Sequence, residues 1–129
     1  MSDQKPLVFV LDDDDDLRSM LEMYLEVSGR CTVYGMKSVR ELERHSSELP
    51  HLLAAILDIN LGAGEPTGID AYRWLRSHGF AGRIIFLTGH ARSHPAVQEA
   101  YLMGDAIVVE KPAGIIQLES EIFKPRENE

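Results

Sequence analysis

Four separated hydrophobic runs in this chain each end in a polar or charged group. Val8-Phe9-Val10-Leu11 leads into Asp12-Asp13, Leu53-Ala54-Ala55-Ile56-Leu57 into Asp58, and Ile84-Ile85-Phe86-Leu87 into Thr88. Ile107-Val108-Val109 leads through Glu110 into Lys111-Pro112. Such continuous apolar runs suit strands covered on both faces, the usual state of a parallel sheet. In an open parallel sheet the carboxyl ends of the strands share one edge, where ligands bind. The pattern therefore predicts carboxylates, a hydroxyl and an ammonium group in one shallow cleft. That set can hold a divalent cation and a phosphoryl group.

The segments between these runs read as helices. Asp15 to Val27 carries Leu17, Leu21, Tyr24 and Leu25 at helical spacing, with Gly29 as a stop. Ser38, with Glu41 three residues on, matches a capping box for a helix to about Ser47, and Pro50 then breaks the chain. Ile69 to His78 is a third helix, stopped at Gly79, and Pro95 suits the first turn of a fourth running to about Met103. Ile115 to Phe123 is a fifth, amphipathic helix. Cys31 to Tyr34, Leu52 to Leu57, Arg83 to Leu87 and Ala106 to Val109 read as strands beside Leu7 to Leu11. Gly62 to Gly68 is a loop by composition. Strands alternating with helices imply parallel pairing through right-handed crossovers, an α/β fold with a doubly wound five-stranded parallel sheet and five helices.

At 129 residues the chain fits one domain, with a core over about 6–123 and a polar tail at 124–129. Its formal charge of −8 argues against a nucleic-acid surface, because phosphate backbones require Lys and Arg. Within the acidic run, Asp14 to Asp16 read as a solvated loop, whereas Asp12 and Asp13 directly continue a buried-looking strand. The lone Cys31 excludes an internal disulfide and reads as a small core residue. No basic segment followed by an apolar stretch opens the chain and no run is long enough to cross a membrane, so the expected compartment is the cytoplasm.

A carboxylate attacks a phosphate poorly because anion meets anion, and a divalent cation bridging the two relieves the repulsion. Mg²⁺ takes hard oxygen ligands and tolerates retained waters. Asp13 and Asp58 are candidate ligands, with Asp12 reaching the ion directly or through water. Lys111 is placed to pair with a phosphoryl oxygen, or with Asp58 before reaction, and Thr88 to donate a hydrogen bond to another phosphoryl oxygen. Singly, each residue has a plain explanation: a strand-end Asp opens a loop, a Thr turns the chain, a Lys before Pro is exposed. The combined order and spacing is far more specific.

On the Asp12-Asp13 pair, Asp58 in Leu57-Asp58-Ile59-Asn60-Leu61, Thr88 in Leu87-Thr88-Gly89-His90, and Lys111-Pro112, residues 6 to 123 resemble the receiver domains of two-component response regulators, the chemotaxis-type phosphoacceptor family. The resemblance implies a flavodoxin-like strand order 2-1-3-4-5. It implies phosphorylation of Asp58 by a histidine kinase or a histidine phosphotransfer protein, and a downstream protein partner, with a homodimer left open. It also implies that the main-chain carbonyl of Asn60 is a Mg²⁺ ligand. Such a domain assists its own phosphorylation and hydrolysis without being a conventional enzyme. The sequence departs from the family in three places. Gly62 stands where Pro is common and the loop to Gly68 is about two residues longer; Val108 replaces a switching Phe or Tyr; Ala113 replaces a Phe.

Three rivals follow from the same residues. A degenerate receiver used only for binding would lack the phosphoacceptor, the acidic pair or the Lys, and none is missing. A Mg²⁺-dependent phosphohydrolase of haloacid dehalogenase type would carry a second Asp two residues after the nucleophile, where this chain has Asn60. A flavin-binding flavodoxin would need a hydroxyl- and Gly-rich phosphate loop after the first strand, where five aspartates stand. His90 reads as an exposed loop residue, His45, His51, His78 and His94 as surface residues, and Trp74 as either core or a partner contact.

Overall fold

The computed structural model describes residues 5–62, 64–111 and 115–124. Strands β1 (Leu7–Leu11), β2 (Thr32–Met36), β3 (Leu52–Asp58), β4 (Arg83–Thr88) and β5 (Ile107–Glu110) form one sheet in the order β2-β1-β3-β4-β5. Every pair is parallel, and the register sets Leu11 beside Leu57 and Asp58 beside Leu87. The expected doubly wound order is therefore present. Helices α1 (Asp15–Val27), α2 (Val39–Glu43), α3 (Gly68–Ser77) and α4 (Pro95–Tyr101) lie in the crossovers between successive strands, and α5 (Ile115–Phe123) follows β5.

Strand side chains alternate between two covered faces. Phe9, Leu11, Leu57, Ile84 and Phe86 enter one core, packed under α2, α3 and α4 with Leu42, Leu75 and Ala100. Val8, Val10, Ile56, Ile85 and Leu87 enter the other, with Leu21 and Leu25 of α1 and Leu118 and Ile122 of α5. Cys31 is buried in this second core as expected, and burial pushes its thiol upward, aided by Glu119 and Glu26.

Several expectations need correction. Asp14 to Asp16 do not form a loop: Asp14 caps α1 by accepting from the Asp16 and Leu17 amides, and Asp15 and Asp16 lie in its first turn, where carboxylates complement the helix dipole. Tyr24 is exposed rather than part of the buried stripe. Ser38 does cap α2, accepting from the Glu41 amide, but the helix ends at Glu43, and a 3₁₀ turn over Ser46–His51 runs through Pro50 instead of breaking there. His45 is half-buried with its ring edge against Phe9 and Tyr34, and His94 is half-buried at the cap of α4. Trp74 is partly buried against the core and stacks on His78. Strand and helix ends otherwise move by one or two residues. Ala63, Pro112, Ala113 and most of the polar tail lie outside the described residues.

The joint between β3 and α3 is closed by a glycine. Gly68 donates its N–H to the Ile59 carbonyl at 3.0 Å, and a Cβ on Gly68 would lie 2.3 Å from the Asp58 carbonyl oxygen. Main-chain atoms cannot turn aside as a flexible side chain can. Gly68→Ala is therefore expected to cost about 2 to 3 kcal/mol. Its melting midpoint should fall by several degrees, against almost no change for Gly104→Ala, whose Cβ would meet open space. Thermal melts of the two variants check this.

Candidate functional site

The carboxyl ends of β1, β3, β4 and β5 surround a cleft of about 380 Å³. It is lined by Asp12, Asp13 and Asp14 from the first strand end, Asp58, Asn60 and Gly62 from the third, and Gly89, His90 and Lys111 from the fourth and fifth. Asp12 is 1% exposed and Asp58 5%. Asp13 is exposed, so it does not continue the buried strand as expected; its carboxylate opens to solvent. One ligand atom from each of Asp12, Asp13 and Asp58 can be chosen with all three within 4.8 Å of one another.

Lys111 is the cation that holds this cluster. Its Nζ lies 3.3 Å from Asp12 Oδ2 and 3.3 Å from Asp58 Oδ2. Its position is set by the strand ends, since the Lys111 N–H donates to the Thr88 carbonyl at 2.7 Å. Burial alone would lower the Lys111 ammonium, but Asp58 and then Asp12 more than offset it and hold the group above its usual value. The opposite balance holds at Asp58. Burial, followed by repulsion from Asp12, raises its carboxyl to about 7, and Lys111 only partly counters this.

Asp12 is fixed from several sides. Its N–H donates to the Met36 carbonyl at 3.0 Å, and its Oδ1 accepts from the Asp14 N–H at 2.9 Å. Its carbonyl accepts from Arg18 Nη1 at 2.8 Å, while Arg18 Nη2 pairs with Asp15 at 2.7 Å. Sequence reasoning missed Arg18, although its position one helical turn from Asp15 and Glu22 was a readable signal.

Thr88 ends β4 and is 1% exposed, and its Oγ1 accepts from the His90 N–H at 3.0 Å. Asn60 and His90 meet across the mouth of the cleft, with Asn60 Nδ2 2.8 Å from His90 Nε2. His90 is exposed as expected, yet it is tied at both its ring and its main chain, a pairing that thirty residues of separation kept out of view. The Gly62 backbone has φ +112°, which Pro cannot adopt, and this accounts for Gly at that position. Val108 is partly buried in the core beneath α4, next to Phe86 in the register.

The donor set suits a hard divalent cation: oxygen ligands only, with net negative charge and one side open to water. The open side also admits a tetrahedral anion toward Asp58, with Lys111 as counter-charge.

Comparison with known proteins gives a consistent result. The model of the response regulator receiver domain matches residues 8–123. Among solved structures, a response regulator receiver protein from Pseudomonas putida is 25% identical with a TM-score of 0.79, the match covering 96% of this chain and all of that one. A response regulator receiver domain protein from Clostridium thermocellum is 22% identical with a TM-score of 0.78, covering 91% of this chain and 90% of that one. A response regulator from Burkholderia pseudomallei, solved with a phosphorylated aspartic acid, a calcium ion and citrate, is 22% identical with a TM-score of 0.76, covering 93% of this chain and 68% of that one. A comparison with curated proteins finds no match.

Proposed function

This chain belongs to the family of response regulator receiver domains, and we propose that it is a working phosphoacceptor switch whose acceptor is Asp58. The observation that carries the reading is the double contact of Lys111, 3.3 Å from both Asp12 and Asp58, at a buried carboxylate that opens on a cleft. The donor is a phosphohistidine of a kinase or a histidine phosphotransfer protein, met in the cytoplasm, and the product surface is read by a downstream protein.

In the transfer, Asp58 Oδ forms a bond to phosphorus while the phosphorus–nitrogen bond of the donor breaks. The imidazole leaves and takes up a proton. Asp58 must be ionised to attack, and burial beside Asp12 opposes that. Bound Mg²⁺ would supply positive charge between the carboxylates and the phosphoryl oxygens, held by Asp13, Asp58 and the main-chain carbonyl of Asn60, with Asp12 direct or through water. Lys111 exchanges its contact with Asp58 for one with a phosphoryl oxygen and so follows the developing charge. Thr88 uses one lone pair for the His90 amide, which leaves its O–H free to donate to another phosphoryl oxygen.

Intact-mass measurement after incubation with acetyl phosphate and Mg²⁺ tests the proposal. One phosphoryl mass is expected on the natural chain and none without Mg²⁺. No gain under any condition would return the domain to a binding-only role. Thr88→Ala and Lys111→Ala are expected to melt cooperatively with unchanged helical signal and to accept phosphoryl at least about tenfold more slowly, as losing one charge-stabilising donor implies. Circular dichroism and the same mass assay check the pair, and an unfolded variant would assign that residue to the fold instead.

A further inference from the structure

His90 and His94 form a connected pair between the cleft and α4. The Gly62 N–H donates to Asn60 Oδ1 at 3.3 Å, which leaves Asn60 Nδ2 to donate to His90 Nε2 at 2.8 Å. The His90 ring lies 4.8 Å from the His94 ring, centroid to centroid, at 35°. His94 is the cap of α4, and its Nδ1 accepts from the Ala96 N–H at 3.2 Å. At its main chain, His90 donates to the Thr88 hydroxyl at 3.0 Å. One residue thus touches the rim on the β3 side through Asn60, the hydroxyl at the end of β4, and the cap of the next helix.

Resting on the phosphoacceptor reading above, we propose that His90 is a positioning residue that couples occupancy of Asp58 to the first turn of α4 through the His94 ring. Both of its anchors belong to groups that an occupied site engages. Thr88 keeps its bond to the His90 amide when its O–H turns toward a phosphoryl oxygen, so the His90 backbone follows that movement. Asn60 is drawn from the other side, through its main chain. The His90 ring cannot keep its contacts with both Asn60 and His94 when its two anchors move independently. The cap that His94 gives to Ala96 changes with it. In this chain a pair of rings, His90 exposed and His94 half-buried, joins the site to α4, while Val108, with no ring to turn, packs partly buried against the core.

Amide and imidazole NMR with beryllofluoride and Mg²⁺, which imitate the phosphoryl group on Asp58, tests this in three chains. In the natural protein the Asn60, Gly89 and Ala96 amides and the His94 ring signals should all shift on addition. In His90→Ala the Asn60 and Gly89 shifts should remain, and most of the Ala96 shift should be lost. His94→Asn, which keeps a capping oxygen but removes the ring, should also lose most of the Ala96 response. Full Ala96 shifts in both variants would overturn the coupling while leaving the phosphoacceptor reading intact. A natural protein with no response at Asn60 or Gly89 would instead remove that reading and the coupling with it.

Discussion

Asp58→Asn should make the metal-free protein more stable near neutral pH while ending its ability to take up phosphoryl. The carboxyl of Asp58 stands at about 7 in the fold against an ordinary value of 3.8, because burial and Asp12 disfavour its charge. Below the ordinary value it is protonated in both folded and unfolded chains, and its ionisation costs the fold nothing. As pH rises from about 4 to about 7 the unfolded chain gives up the proton first, so the metal-free fold loses stability across that window. The whole loss is at most about 4 kcal/mol. Asn keeps the shape without the charge. It should restore about 1 to 3 kcal/mol of this at about pH 8, because Lys111 stays to pair with Asp12. At about pH 4 the two proteins should melt almost alike. Melting curves across that range, with a chelator present, should show a falling midpoint for the natural chain and a flatter one for the variant. Parallel curves would mean that Asp58 is not held in its neutral form by its surroundings.

Mg²⁺ should act in the opposite sense on the natural protein. Binding to the folded cluster and hardly to the unfolded chain should, at about 10 to 100 times the dissociation constant, add about 1.4 to 2.7 kcal/mol. For a domain of this size that is a rise of about 3 to 10 °C in melting midpoint. Asp13 is the ligand candidate best suited to a test, because it is exposed whereas Asp12 and Asp58 are buried. Asp13→Asn should leave the metal-free midpoint within a degree or two of the natural one, since surface changes of this kind cost about 0.5 kcal/mol or less. The Mg²⁺ shift should be largely gone. Melts of both proteins at constant ionic strength measure it. A full Mg²⁺ shift in Asp13→Asn would take that residue out of the ligand set.

The architecture was legible because it rests on local patterns. Four apolar runs at strand length and the short Cys31 to Tyr34 segment, separated by helical spacing, point to a parallel sheet, and the order that the family resemblance implied is the one observed. The strand-end residues were legible for the same reason, since β-strand ends of parallel neighbours must share an edge. What stayed hidden depends on distance in sequence or on burial. Asp12 and Asp13 look identical in the sequence, yet the Met36 carbonyl and the Lys111 ammonium bury the first while the second faces water. The pairing of Asn60 with His90 joins two loops that only folding brings together. The early end of α2 follows from Leu49 and Pro50 folding back toward β3 in a 3₁₀ turn, a tertiary demand with no periodic mark. Gly68 looks like any loop glycine, and only the nearness of the Asp58 carbonyl shows why it is one.

The central claim is that Asp58 carries the phosphoryl group as an acyl phosphate. Its most direct test is chemical trapping: load the protein with acetyl phosphate and Mg²⁺, reduce with borohydride, digest, and sequence the peptides by mass spectrometry. An acyl phosphate on an aspartate is reduced to homoserine, so homoserine should be found at position 58 and nowhere else, and only in protein that received both phosphodonor and Mg²⁺. Homoserine at position 12 or 13, or a stable phosphoryl group on a histidine or hydroxyl with position 58 unchanged, would contradict the account.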